Sequence, residues 1–262
     1  MVKPNFIIIG AQKAGTNSLF NLLANHPDIF IKGGETHFFD KPKNQHFDHS
    51  TISNYEKSFK TNKTCVGEKT PSYYYLLFAI DRIHHYYPDI KLILILREPI
   101  SRAFSQFNMN SNTVNKSLKN LNDQQIIYEF EKEQHIQLQD IQQNGAYYIT
   151  RGYYDEIIEY LYSKFPKKNI YIGIAEEIKD YKLTNYNNIL DFLNVSNIHH
   201  IQDSIDTHIG KYKKPISKEL EYKLYCIYKP HVDKLYSIIG RKIESWEKYY
   251  HSISSSHNPH TS

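Results

Sequence analysis

The stretch Phe6-Ile7-Ile8-Ile9-Gly10-Ala11-Gln12-Lys13-Ala14-Gly15-Thr16-Asn17-Ser18 decides the fold. Phe6 to Ile9 is an unbroken apolar run, the pattern of a parallel strand buried on both faces. From Thr16 to Ala24, Leu19, Phe20, Leu22 and Leu23 gather on one side of a helix. Between them lies G-x-x-x-x-G-T. Its glycines let backbone N–H groups converge on an anion, and the helix N-terminus adds positive potential. This is not a Walker A loop, in which lysine follows the second glycine. Thr16 stands at that position here, and Lys13 sits inside the loop instead.

Strands and helices alternate outward from this point. Cys65 and Val66 read as a short strand, and Tyr73 to Tyr86 as a helix behind Pro71. Leu92 to Leu96 is a second strongly apolar strand, followed by a helix over Ser101 to Met109. Asp123 to Gln143 reads as a long polar helix, Tyr153 to Phe165 as an amphipathic one, and Ile170 to Ile174 as a further strand. This order predicts an α/β fold with a central parallel sheet flanked by helices. Ligands of such sheets bind at the carboxyl ends of the strands. Arg97 closes the Leu92 to Leu96 strand, where a nucleotide triphosphatase would want an Asp to help hold magnesium. Arg97 with Ser105 of the next helix is the pattern of a compact phosphate clamp. Two anion sites imply a ligand phosphorylated at two places.

Composition narrows the classes. The chain has 262 residues, 40% of them hydrophobic and 23% charged, which excludes a disordered or fibrous protein. Tyr supplies 23 residues, so a core can form despite a mean hydropathy of -0.60. A net charge of +4 suits an anionic ligand and lacks the dense basic stripe of a nucleic-acid binder, so no nucleic-acid partner is expected. No apolar run reaches the ~18–20 residues of a membrane span, and MVKPNFIIIG is too short in apolar content for a signal peptide. No membrane anchor and a cytoplasmic location are therefore expected. Cys65 and Cys226 cannot build a disulfide framework or a four-ligand zinc site. One domain over 1–250 is expected, with a disordered tail over 251–262.

At this point the motifs resemble those of the sulfotransferases. IIIGAQKAGTNSLFNLLANHPDI (7–29) is similar to their 5′-phosphosulfate loop, and LILILREPISRAFSQF (92–107) to their 3′-phosphate motif R-x-P-x-x-R-x-x-S. GGETHFFD (33–40) resembles the K-E-x-H-F-F-D segment of the heparan sulfate type. GEKTPSYYY (67–75) resembles their G-E-K-[ST]-P-x-Y. HIGKYKKPIS (208–217) falls where that type places a basic loop, although no cysteine flanks it here.

The resemblance implies a P-loop NTPase-like three-layer fold and PAPS (3′-phosphoadenosine 5′-phosphosulfate) as sulfuryl donor. It places Lys13, Ala14, Gly15, Thr16, Asn17 and Ser18 on the 5′-phosphosulfate, and Arg97 and Ser105 on the 3′-phosphate. It places Lys211, Tyr212 and Lys213 over the nucleotide. Glu35 falls on the family's catalytic base, with His37 and Asp40 beside it in the acceptor cleft, and Lys69 on a second active-site lysine. Tyr73 is a candidate for stacking on a sugar ring, with helix packing as the alternative. The expected reaction is sulfuryl transfer to a hydroxyl or amine of a carbohydrate-like or small-molecule acceptor. Lys13 and Lys69 would oppose the developing charge without a metal. Two alternatives stay open: a P-loop small-molecule kinase, and a non-catalytic nucleotide- or glycan-binding module.

Overall fold

A computed structural model of the chain describes residues 2–42, 47–142, 145–180, 182–200 and 215–256. Backbone contacts group the chain into two compact units, Met1–Arg97 with Tyr160–His208, and Glu98–Glu159 with Ile209–Ser262.

The first unit holds a five-stranded parallel sheet. Its strands are β1 (Phe6–Gly10), β2 (Ile29–Glu35), β3 (Cys65–Lys69), β4 (Lys91–Leu96) and β5 (Ile170–Ile174), in spatial order β2-β3-β1-β4-β5. The apolar runs occupy the centre: every residue of β1 and all but Lys91 of β4 are buried, as strands covered on both faces require. Helices α1 (Thr16–Ala24), α2 (His49–Lys57) and α3 (Leu77–Tyr86) connect the early strands. Leu19, Leu22 and Leu23 are the buried face of α1, as their spacing predicts. The parallel α/β sheet flanked by helices is the architecture read from the sequence.

Differences are local. The sequence pattern did not reveal β2, an edge strand whose burial alternates and then gives way to the exposed Gly33-Gly34-Glu35. Tyr73–Tyr75 forms a separate 3-10 turn ahead of α3 rather than its first turn.

The second unit is helical. It includes α4 (Pro99–Thr113) and α5 (Asp123–Glu131). The long polar helix expected to Gln143 is therefore only nine residues, because the apolar stripe of Ile126, Ile127 and Phe130 ends there. α6 (Tyr154–Lys164) begins in the second unit and ends in the first, α7 (Ala175–Asp180) and α8 (Lys182–Leu193) belong to the first unit, and α9 (Lys218–Ile239) and α10 (Glu244–Ser256) belong to the second. The core of this unit contains Arg102, whose guanidinium donates to Gln106 Oε1 at 2.8 Å and to the Tyr148 carbonyl. Tyr228 Oη adds bonds to the carbonyls of Tyr148 and Ile149 at 3.2 and 3.0 Å. Arg102 is thus a buried structural brace.

The expected disordered tail is corrected over its first half. α10 continues through His251–Ser256, because Trp246, Tyr250 and Ile253 share one buried face; residues 257–262 lie outside the described part. Tyr250 Oη donates to Glu98 Oε1 at 3.0 Å, and the same carboxylate caps α4 through the N–H groups of Ile100 and Ser101. Burial pushes the Glu98 carboxyl above its ordinary range. No helix among the described residues is long and apolar enough to cross a membrane.

Candidate active site

The loop after β1 turns at Lys13 and Gly15, at φ 73° and 85°. Gly15 takes this left-handed conformation without steric cost and opens α1 as its N-cap. For Lys13 it is a strained conformation, of the sort that persists where surroundings impose it. Part of that imposition is visible: Arg97, directly after β4, donates from Nη1 to the Lys13 carbonyl at 3.0 Å. The Ala11 N–H donates to the Ile95 carbonyl at 2.8 Å, tying the loop's first residue to β4. Thr16 is buried, while Asn17 is exposed at the mouth of the helix.

β2 and β3 bring the second group together. Glu35 and Lys69 are register partners at the carboxyl ends of these strands. Lys69 Nζ lies 3.3 Å from Glu35 Oε1 and also donates to Asn17 Oδ1 in the first turn of α1. Lys69 is buried, which restricts its ammonium to these partners and strengthens its field. His37 Nε2 stands 3.2 Å from Glu35 Oε2, and His37 Nδ1 stands 2.7 Å from Asp40 Oδ2. Glu35 and His37 remain accessible, at 37% and 53% side-chain exposure, whereas Asp40 is at 2%. Glu35 and His37 are therefore both open to solvent. Asp40 is corrected from a cleft residue to a support: it holds the His37 ring and accepts from Ser72 Oγ at 2.6 Å.

Tyr73 is corrected likewise. It is fully buried, so no ring face is open to a sugar. Its hydroxyl accepts from the N–H groups of Phe38 and Phe39 at 2.9 and 3.2 Å and reaches Glu68 Oε1 at 3.3 Å. Glu68 is a residue that motif reading passed over. Wholly buried, it is pushed up to about 7 by desolvation, against the pull of its hydrogen bonds. A cavity of about 310 Å³ opens beside Thr36, lined by hydroxyl, amide and lysine groups and the rings of Phe38 and Tyr55, stacked 4.3 Å apart.

Ser105 lies buried within α4 of the second unit. Lys211, Tyr212 and Lys213 lie outside the described residues. Among the described residues no group of three or more His, Cys, Asp or Glu side chains stands together as a metal site.

This is an α/β protein of the P-loop-like class. The sulfotransferase from Alicyclobacillus acidocaldarius has the same fold: the two superpose with a TM-score of 0.73 at 24% identity, covering 94% of this chain and all of that one. In sequence the chain resembles the heparan sulfate sulfotransferases. It is 34% identical over 113 residues to human heparan sulfate glucosamine 3-O-sulfotransferase 6, covering 40% of this chain and 30% of that protein. It is 38% identical over 108 residues to mouse heparan sulfate glucosamine 3-O-sulfotransferase 3B1, covering 40% of this chain and 26% of that protein. The chain thus spans less than a third of the length of these curated relatives. No family model matches it.

Proposed function

We propose that the protein is a sulfotransferase that moves a sulfuryl group from PAPS to a hydroxyl or amine of a carbohydrate-like acceptor. The observation that carries this reading is Lys69, which touches the phosphate-loop residue Asn17 on one side and the accessible carboxylate of Glu35 on the other. The bond from sulfur to the phosphate oxygen of PAPS breaks as the bond from sulfur to the acceptor forms. The acceptor proton passes to Glu35, which His37 and Lys69 hold in place. Lys13 and the N-terminus of α1 oppose the charge that grows on the departing phosphate, and Lys69 flanks the sulfuryl oxygens. As in phosphoryl transfer, positioning and charge stabilisation supply most of the acceleration.

Arg97 holds the Lys13 carbonyl and is offered as a ligand of the donor's second phosphate; Ser105 carries the same assignment by resemblance alone. The names of the relatives point to a hexosamine hydroxyl as acceptor. The test is incubation with sulfur-labelled PAPS and a panel of glycans, amines and phenols. Label on a glycan supports the reading; label on phenols alone removes the carbohydrate assignment, and label on none removes the transferase.

A further inference from the structure

β3 carries two adjacent ionisable residues that serve opposite faces. The pleat sends Lys69 toward Glu35 and Glu68 to the other side. There the buried Glu68 carboxylate collects four hydroxyls. Oε1 accepts from Tyr55 at 2.8 Å and from Tyr73 at 3.3 Å, and Oε2 accepts from Thr70 at 2.9 Å and from Thr36. Two of these hydroxyls reach onward to the backbone. Thr70 Oγ1 accepts from the N–H groups of Thr36 and His37 at 3.1 and 3.4 Å. Tyr73 Oη accepts from those of Phe38 and Phe39 at 2.9 and 3.2 Å. Four consecutive N–H groups therefore hang on one carboxylate through two hydroxyls. The segment they hold begins directly after Glu35 and contains His37, at φ 45° in the left-handed region.

A hydroxyl that accepts from an N–H has one proton of its own to place. An ionised carboxylate takes that proton's hydrogen bond from every side. A protonated one turns an acceptor site into a donor and breaks the pattern. We infer that Glu68 is a positioning residue: ionised, it locks Thr70 and Tyr73 onto residues 36–39 and so holds Glu35 and His37 in reactive geometry, and its protonation releases them and sets the acidic limb of turnover. The kinetic part rests on the sulfuryl-transfer reading above.

Four titratable groups face this carboxylate: Tyr55 from α2, Tyr73 from the 3-10 turn, Lys32 from β2, and Tyr87 after α3. Burial holds all three tyrosines above their ordinary range, so they stay protonated; Lys32 draws the carboxyl down, but desolvation outweighs it.

The test follows the Glu68 side-chain carbon by carboxyl 13C NMR together with the Phe38 and Phe39 amides. A shared midpoint near 7, absent from the amides of Glu68→Gln, is expected. In turnover, Glu68→Gln should lose the acidic limb and run roughly 10- to 100-fold slower at pH 8, with unchanged melting-temperature gain from the product nucleotide PAP. A carboxyl midpoint near 4.5, amides that ignore it, or a wild-type acidic limb in Glu68→Gln each overturns the inference.

If Glu68→Gln does not fold, Tyr55→Phe serves. It removes one bond to the ionised form and leaves the backbone clamp intact, so the carboxyl midpoint should move to higher pH; an unmoved midpoint overturns the inference. A wild-type chain without transferase activity would sink the reading above, while the carboxyl and amide titrations would still decide the role of Glu68.

Discussion

Glu35 and Lys69 are partners twice over: their backbones pair across the last rung of β2 and β3, and their charged atoms lie 3.3 Å apart. The sheet, not a mobile loop, sets the distance between the accessible carboxylate and the buried ammonium. Since the same ammonium also reaches Asn17, one side chain joins the first turn of α1 to the accessible carboxylate of Glu35.

Replacing Glu35 by Gln keeps its size and removes its ability to take a proton. Donor affinity should stay nearly unchanged while kcat falls by ~10²–10⁴-fold. Steady-state kinetics with separate donor and acceptor titrations checks this. Normal turnover in Glu35→Gln beside a dead His37→Ala would transfer the role of base to His37.

Ligand-induced stabilisation reads the donor site without any chemistry, because a ligand that binds only the folded chain must raise its melting temperature. PAP should raise it more than AMP does at matched saturation. Arg97→Ala should reduce the PAP shift to the AMP level and loosen the loop through loss of the bond to the Lys13 carbonyl. Equal shifts in the wild-type chain would remove the 3′-phosphate assignment.

In the proposed reaction, Lys13, Lys69 and the N-terminus of α1 supply the positive charge that a metal ion would otherwise bring. Sulfuryl transfer should therefore persist in excess EDTA, and ATP should donate nothing. A strict magnesium requirement, or phosphoryl transfer from ATP, would favour the kinase alternative instead.

Stability should carry the signature of Glu68. Its folded-state carboxyl sits at about 7 against 4.5 for the free side chain, so its contribution is fully present below pH 4.5 and is lost as pH rises through 7. The loss amounts to roughly 3 kcal/mol at 1.36 kcal/mol per pKa unit. Denaturant titrations of wild type and Glu68→Gln between pH 4.5 and 8 should show the difference moving by about that amount in favour of the variant. A pH-independent difference would show that the buried carboxyl does not titrate in this range.

Much of the fold is legible from two sequence runs, Phe6 to Ile9 and Leu92 to Leu96, because a strand covered on both faces has no alternative to continuous apolar residues. β2 escapes that rule as an edge strand interrupted by glycines. The end of α10 carried a readable signal in the 4- and 3-residue steps from Trp246 to Tyr250 to Ile253, masked by the polar residues between them.

In the candidate site, the grouping of Glu35 with His37 and Lys69 is one that motif resemblance brings forward. Glu68 is not brought forward: an acid beside a lysine reads as a surface ion pair. Its true setting is assembled from hydroxyls of three separate segments, around Thr36, Tyr55 and Thr70 to Tyr73. Tyr73 misleads for the converse reason, since one sequence cannot tell a ring offered to a ligand from one sealed in the core.

The pairing of β2 with β3 shifts register between Ile31 and Glu35, and the chain crosses that step on Gly33 and Gly34, the latter at φ 76°. This step sets the phase of everything after it. Deleting one glycine would exchange the sides taken by Glu35 and Thr36, carrying the Glu35 carboxylate away from Lys69 while the loop after β1 stays untouched. The glycine pair is therefore a point where the gain or loss of one codon would uncouple the Glu35–Lys69 pair from the loop after β1.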